Sequence, residues 1–235
     1  MQKRLRFLII GFILIGLSLF ILGVTGYFAD NKTTFLERWR PEYVPTGQEP
    51  GERQTKTKAE KFPDKLVSAA IEQTKHQVVY DPAYVKISYP GGDVPENRGV
   101  CTDVIIRAYR KVGIDLQKEI HEEMAQNFHL YPRIWGLAQP DSNIDHRRVA
   151  NLMVFFKRKG ETLSISNQAA GYLAGNIVTW DLGKGVTHIG LLTDQKSDDA
   201  KRFKVVHNIG SGPKLEDVLF SWEITGHFRY SKSGD

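Results

Sequence analysis

Apolar and polar positions divide the chain into stretches of different character. Residues 7–28, FLIIGFILIGLSLFILGVTGYF, carry no charged side chain, and a run of that length reaches the roughly 20 residues that cross a bilayer core. Residues 40–63 have the opposite character, mixing Pro41, Pro45, Pro50 and Pro63 with glycine and many charges, without an apolar period. An extended or disordered linker is expected over 29–63, because such a segment has little to bury. Helical spacing begins beyond it, at Leu66, Val67, Ala70, Ile71 and Thr74. A strand at VVY leads into a Pro/Gly-rich loop. Val104, Ile105, Ala108, Tyr109 and Val112 then form one stripe of a second helix, which Gly113 ends as a cap. HRRVANLMVFFKRKG reads as a third, with Asp145 as N-cap, an apolar face of Val149, Leu152, Met153 and Phe156, and Gly160 as stop. The last third is strand-like: NIVTW, the turn DLGKG, VTHIGLLTD, FKVVHNIG and GHFRYS. Helices ahead of an antiparallel sheet define an α+β domain over residues 64–235.

Charge gives the apolar run a direction. Lys3, Arg4 and Arg6 precede it, which keeps the short N-terminus inside and sends the body across the membrane. The run exceeds the roughly 7–15 residues of a cleaved secretory signal, and TGYFAD is a poor cleavage site. No cysteine near its end offers a site for lipid attachment. A single-pass anchor over residues 1–28 is therefore expected, with secretion after cleavage as the alternative. Without those three residues the 32 basic side chains fall to 29, against 27 acidic ones. That balance excludes a nucleic-acid surface as the explanation of the chain's charge. Oligomeric state leaves no mark on the sequence.

Export sharpens the meaning of the only cysteine, Cys101, in ENRGVCTDVIIRAYRKVG. Cysteines of exported proteins usually pair, and an odd one points to intermolecular pairing or to a reactive thiol. A buried free thiol would also behave as a small hydrophobe. The start of a helix favours a nucleophile, since the positive end of the dipole stabilises thiolate. Such a nucleophile needs a base and a group to orient that base. Among seven histidines, His76 and His121 lie in polar helix-like segments and read as solvated. His129 and His227 have no polar sequence neighbours that assign them a role. His188 interrupts VTHIGLL, and His207 ends the apolar FKVV just before Asn208. Either alone reads equally well as a satisfied core histidine.

These residues resemble the NlpC-type cysteine peptidases, bacterial enzymes with a papain-like core that cut peptides of peptidoglycan. GNIVTWDLGKGVTHIGLLTD is similar to their catalytic hairpin, and FKVVHNIG to the strand that follows. RGVCTDVIIRAYRKVGIDL, NIDHRRVANL and VVHNIGSGPKLEDVLFSWEITGHFRY look more closely like a bacterial family known as domain of unknown function 1287, over residues 64–231. The resemblance implies Cys101 as nucleophile, His188 as base and His207 as orienting group, with no cofactor and no metal. It also implies a peptidoglycan or stem-peptide partner and a location at the bacterial cytoplasmic membrane, facing the periplasm or the outside. Two departures stand out: Val100 replaces the usual aspartate before the nucleophile, with Thr102-Asp103 after it, and Gly175-Asn176 replaces Gly-Asp.

Around that triad, Arg147 and Arg148 of NIDHRRVANL are candidates to hold substrate carboxylates, or else they face solvent on a capped helix. Tyr80, Asp103, Asp145, His146 and Asn208 complete the candidate substrate contacts. GSGP, residues 210–213, reads as a turn, since it lacks the context of a phosphate loop. Three other functions stay open on the same residues. One is a non-catalytic envelope binder or scaffold; another is a zinc hydrolase using His146, His188 and His207 with Asp145. The third is an acyltransferase in which another acceptor intercepts the thioester.

Overall fold

The computed structural model describes residues 61–232. The expected anchor and nearly all of the expected linker lie outside the described residues. Among the described residues, no helix is long and apolar enough to cross a membrane.

Helix α1, Phe62–Glu72, takes its first turn from the last residues of the linker reading, where Pro63 needs no hydrogen-bond partner for its nitrogen. It buries Leu66, Val67 and Ala70, the apolar positions that the helical spacing singles out. Val79–Tyr80 (β1) and Arg98–Gly99 (β2) pair in parallel, so the Pro/Gly-rich loop leaves and returns at one place. Helix α2, Cys101–Lys111, follows at once, ending at a left-handed Gly113. It is buried on more than a stripe, since Cys101, Thr102, Asp103 and Ile106 join Val104, Ile105, Ala108 and Tyr109 inside. Helix α3, Leu116–Asn127, starts on Asp115, whose carboxylate accepts from the Gln117 N–H. Helix α4, Val149–Lys159, completes the set, with Val149, Leu152, Phe155 and Phe156 buried and Gly160 at its end.

Asp145 is not the N-cap of α4. It opens a separate 3-10 turn, Asp145–Arg147, and the extended backbone of Arg148 divides that turn from the helix. The Asp145 carboxylate accepts the Asp141 N–H and pairs with Arg148 instead of capping helical amides.

The remaining elements form one antiparallel sheet in the order β3-β8-β4-β5-β6-β7. Its strands are Glu161–Thr162 (β3), Ile177–Asp181 (β4), Thr187–Lys196 (β5), Phe203–His207 (β6), Lys214–Glu216 (β7) and Glu223–Arg229 (β8). Side chains alternate across it, and each face closes its own core. Ile177, Ile189, Leu191, Val206 and Phe228 pack with the helices. Val178, Trp180, Leu192 and Val205 pack with Tyr172 and Leu219 on the other side. These elements make an α+β domain with four helices and an antiparallel sheet.

Candidate active site

Cys101 is the first residue of α2, and the loop before it is tied down from several directions. Val100 donates its N–H to the Asp103 carboxylate at 2.7 Å, fixing the first turn. Asp103 in turn holds Arg147, whose Nη1 and Nη2 also reach the carbonyls of Ala83 and Asp81 at 3.0 and 3.1 Å. Gly99, just upstream, accepts from the Asn208 amide at 3.3 Å. The thiol is thus held between the β1–β2 strap, α2 and the sheet.

At 5% exposure Cys101 is buried. Its sulfur lies against the backbone N–H of Ile189 on β5 and those of Cys101 and Thr102, while burial and the Asp103 charge push the thiol up to about 12. The helix start supplies the donors that sequence reasoning anticipates, but desolvation outweighs them, and the resting group is a thiol. The expected resting thiolate is corrected accordingly.

His188 and His207 sit on neighbouring strands, with His188 Nε2 2.9 Å from His207 Nδ1. Both are almost sealed, at 2% and 1% exposure. They lie on the sheet face that carries Trp180, where Trp222 packs edge-on to both rings. Burial and the neighbouring His207 hold His188 down at about 3, so its ring is neutral at ordinary pH. Burial lowers His207 as well, against the opposing pull of Glu216. Among the described residues no hydrogen bond joins the Cys101 sulfur to the His188 ring; the sulfur meets β5 one residue further on, at Ile189.

Gly190 makes room for this arrangement. A Cβ there would come within 2.6 Å of the Val205 side chain and 3.1 Å of the Trp180 ring. Only glycine leaves room there for the Trp180 ring, which lies tilted by 30° to the ring of its cross-strand partner His188.

The other candidates separate into two groups. Tyr80 remains at the site, 38% exposed on β1, where burial and then the nearby Cys101 and Asp103 groups raise its hydroxyl. Asn208 stays there too, bridging Gly99 and Gly210. The NIDHRRVANL residues turn inward instead, because Asp103 and Arg147 neutralise each other. Asp145 and His146 are buried, and burial pulls His146 down to about 4. Arg148 pairs with Asp145 and lies over the Trp135 ring at 4.1 Å. Arg147 is thus taken up in a structural knot under the Cys101 turn, while Arg148 stays partly exposed beside Trp135.

Two further histidines differ from their sequence reading. His121 packs edge-on against Tyr89, and His227 is buried between Ser164 and Asn176, stacked on Tyr172. No group of three or more His, Cys, Asp or Glu among the described residues is placed to hold a metal ion.

Sequence reasoning missed Glu216, whose Oε2 lies 3.0 Å from His207 Nε2. The carboxylate sits off the ring's N–H direction, so the contact is an ion-pair approach rather than an aligned hydrogen bond, leaving that nitrogen without an aligned partner. A strand of three residues carries too little periodicity to draw attention to Glu216.

The site thus defines an α+β domain with a solitary buried thiol at a helix start, beside strands that carry a hydrogen-bonded histidine pair. The chain belongs to the family described as domain of unknown function (DUF1287), which matches residues 67–230. It is similar to the uncharacterized protein YijF of Escherichia coli (strain K12), with 51% identity over 165 residues, covering 70% of this chain and 80% of that protein.

Proposed function

We propose that the domain has a papain-like architecture and acts as an exported cysteine hydrolase on peptide or amide bonds of the cell envelope, with peptidoglycan peptides as the substrate class. The observation that carries this reading is the placement of the chain's single thiol at the first turn of α2, against the Ile189 N–H of β5, one residue on from His188, whose ring is held by His207. Cys101 is the nucleophile, His188 the base and His207 the group that orients it.

At rest both reacting groups are neutral. Bound substrate brings polar groups to the thiol and offsets the burial that keeps it protonated. The Cys101 proton passes to His188 as the sulfur attacks the carbonyl carbon, and the resulting oxyanion accepts from backbone N–H groups at the start of α2. Collapse breaks the C–N bond, with the amine leaving on the proton held by His188. Water, deprotonated by His188, then hydrolyses the thioester to a carboxylate and restores the thiol. Tyr80, on the strap over the thiol, contacts the substrate, and Asn208 holds that strap through the Gly99 carbonyl. An N-terminal anchor would hold the domain at the membrane's outer face.

A second reading is favoured by one specific observation. Burial of the thiol, pushed up to about 12, equally suits a non-catalytic envelope-binding module on the same fold. Incubating the full chain with purified peptidoglycan and measuring released fragments by mass spectrometry separates the two. The hydrolase reading expects new peptide ends that vanish in Cys101→Ala and His188→Ala and survive a metal chelator. Binding without release, or release undiminished in Cys101→Ala, would favour the module or another chemistry.

A further inference from the structure

We infer that Glu216 is a positioning residue that sets which ring nitrogen of His188 is free to act as the base. The inference rests on the hydrolase reading for its consequence, but the proton placement it asserts can be tested without it.

A neutral imidazole carries one N–H donor and one lone pair, and the partner of one nitrogen decides the state of the other. The chain of contacts runs from Glu216 Oε2 to His207 Nε2 at 3.0 Å, then from His207 Nδ1 to His188 Nε2 at 2.9 Å. A carboxylate can only accept, so His207 holds its proton on Nε2 once Glu216 is turned into line with the ring. Its Nδ1 is then the acceptor, and His188 Nε2 must donate to it. The proton of His188 is thereby fixed on Nε2, leaving Nδ1 with a free lone pair. Without Glu216, both rings could reverse together. His207 Nδ1 would donate, His188 Nε2 would accept, and His188 Nδ1 would hold a proton and lose its basicity.

The setting suits this role. Glu216 ends the edge strand β7, opposite Val205, and reaches diagonally to His207 across the strand pair. Its side chain is 39% exposed while that of His207 is 1% exposed. The carboxylate therefore reaches water while one oxygen touches a sealed ring. Lys214 is the residue paired directly with His207 and is exposed; His188 and Trp222 close the remaining sides of the ring. Glu216 is thus the one acceptor offered to His207 Nε2 among the described residues, and a small rotation of an exposed side chain aligns it.

The experiment uses the full chain with 15N-labelled histidine rings, read by NMR, in wild type and Glu216→Ala. Resonances are assigned with His188→Gln and His207→Gln. In wild type, both His188 and His207 should be protonated at Nε2. In Glu216→Ala a population of the Nδ1–H form should appear in both rings together. The rate of Cys101 alkylation should fall roughly tenfold, the scale at which outer partners of a ring nitrogen act. Glu216→Gln, which keeps an acceptor oxygen, should recover much of the wild-type pattern. Unchanged ring protonation in Glu216→Ala, or an Nδ1–H His188 in wild type, would overturn the inference. If ring protonation follows Glu216 but Cys101 alkylation never depends on His188, the positioning stands and the hydrolase reading fails.

Discussion

Arg147 grips Asp103 side-on, through Nε and Nη2 at 2.9 and 3.0 Å, two residues beyond the thiol. Both side chains are nearly sealed from solvent, at 2% and 4% exposure. The same guanidinium reaches the carbonyls of Asp81 and Ala83, and the same carboxylate anchors the Val100 N–H. Strap, helix start and 3-10 turn are thereby locked together under Cys101.

Removing one partner strands the other charge in the interior. Arg147→Ala and Asp103→Ala should each cost about 3–5 kcal/mol of stability, measured from denaturant midpoints. Arg147→Lys should not restore it, since a single ammonium cannot replace the fork that serves one carboxylate and two carbonyls. A loss below about 1 kcal/mol, the scale of an exposed pair, would contradict the knot.

Acid should loosen the domain before carboxylates begin to titrate. The folded chain holds His188 at about 3 and His146 at about 4, chiefly through burial, whereas unfolded histidine titrates near 6.5. Between those values the unfolded chain takes up protons that the folded chain refuses, so stability is present above about pH 6.5 and is lost as pH falls. Each such histidine contributes a slope of about 1.4 kcal/mol per pH unit. Chemical unfolding between pH 7 and 5 should show the decline, and His146→Gln should reduce its slope. A flat profile would mean that these rings are hydrated or protonated in the folded state.

Gly190→Ala places a methyl group within 2.6 Å of Val205 and 3.1 Å of Trp180. Neither neighbour can yield freely, because both are fully buried. Overpacking of this kind typically costs about 1–3 kcal/mol. The thermal midpoint should fall accordingly, and the ring resonances of His188 should shift as Trp180 is displaced. An unchanged midpoint would show that Val205 and Trp180 are less tightly packed over Gly190 than described.

Much of this architecture is legible along the chain because it rests on local periodicity. Leu66, Val67 and Ala70 mark α1, Val104 to Tyr109 mark α2, and the DLGKG turn marks the β4–β5 hairpin. The histidine pair is legible as two polar interruptions in successive apolar strands, and their 2.9 Å contact follows from strand adjacency. What stays hidden depends on long-range pairing. Arg147 meets Asp103 across 44 positions, and nothing local distinguishes it from a solvated arginine. The state of the thiol is hidden for a similar reason: helix position argues for thiolate, while the burial that reverses it is created by β5 and the strap.

Alkylation of Cys101 across pH, in wild-type full chain and in His188→Ala, tests the central claim most directly, since the chain's single cysteine makes the label specific. A His188-assisted nucleophile should react near neutral pH at least about tenfold faster than in the variant, far below the pH needed by a thiol pushed up to about 12. Equal, slow labelling in both, rising roughly tenfold per pH unit through the range above an ordinary thiol's value of about 8.5, would contradict it.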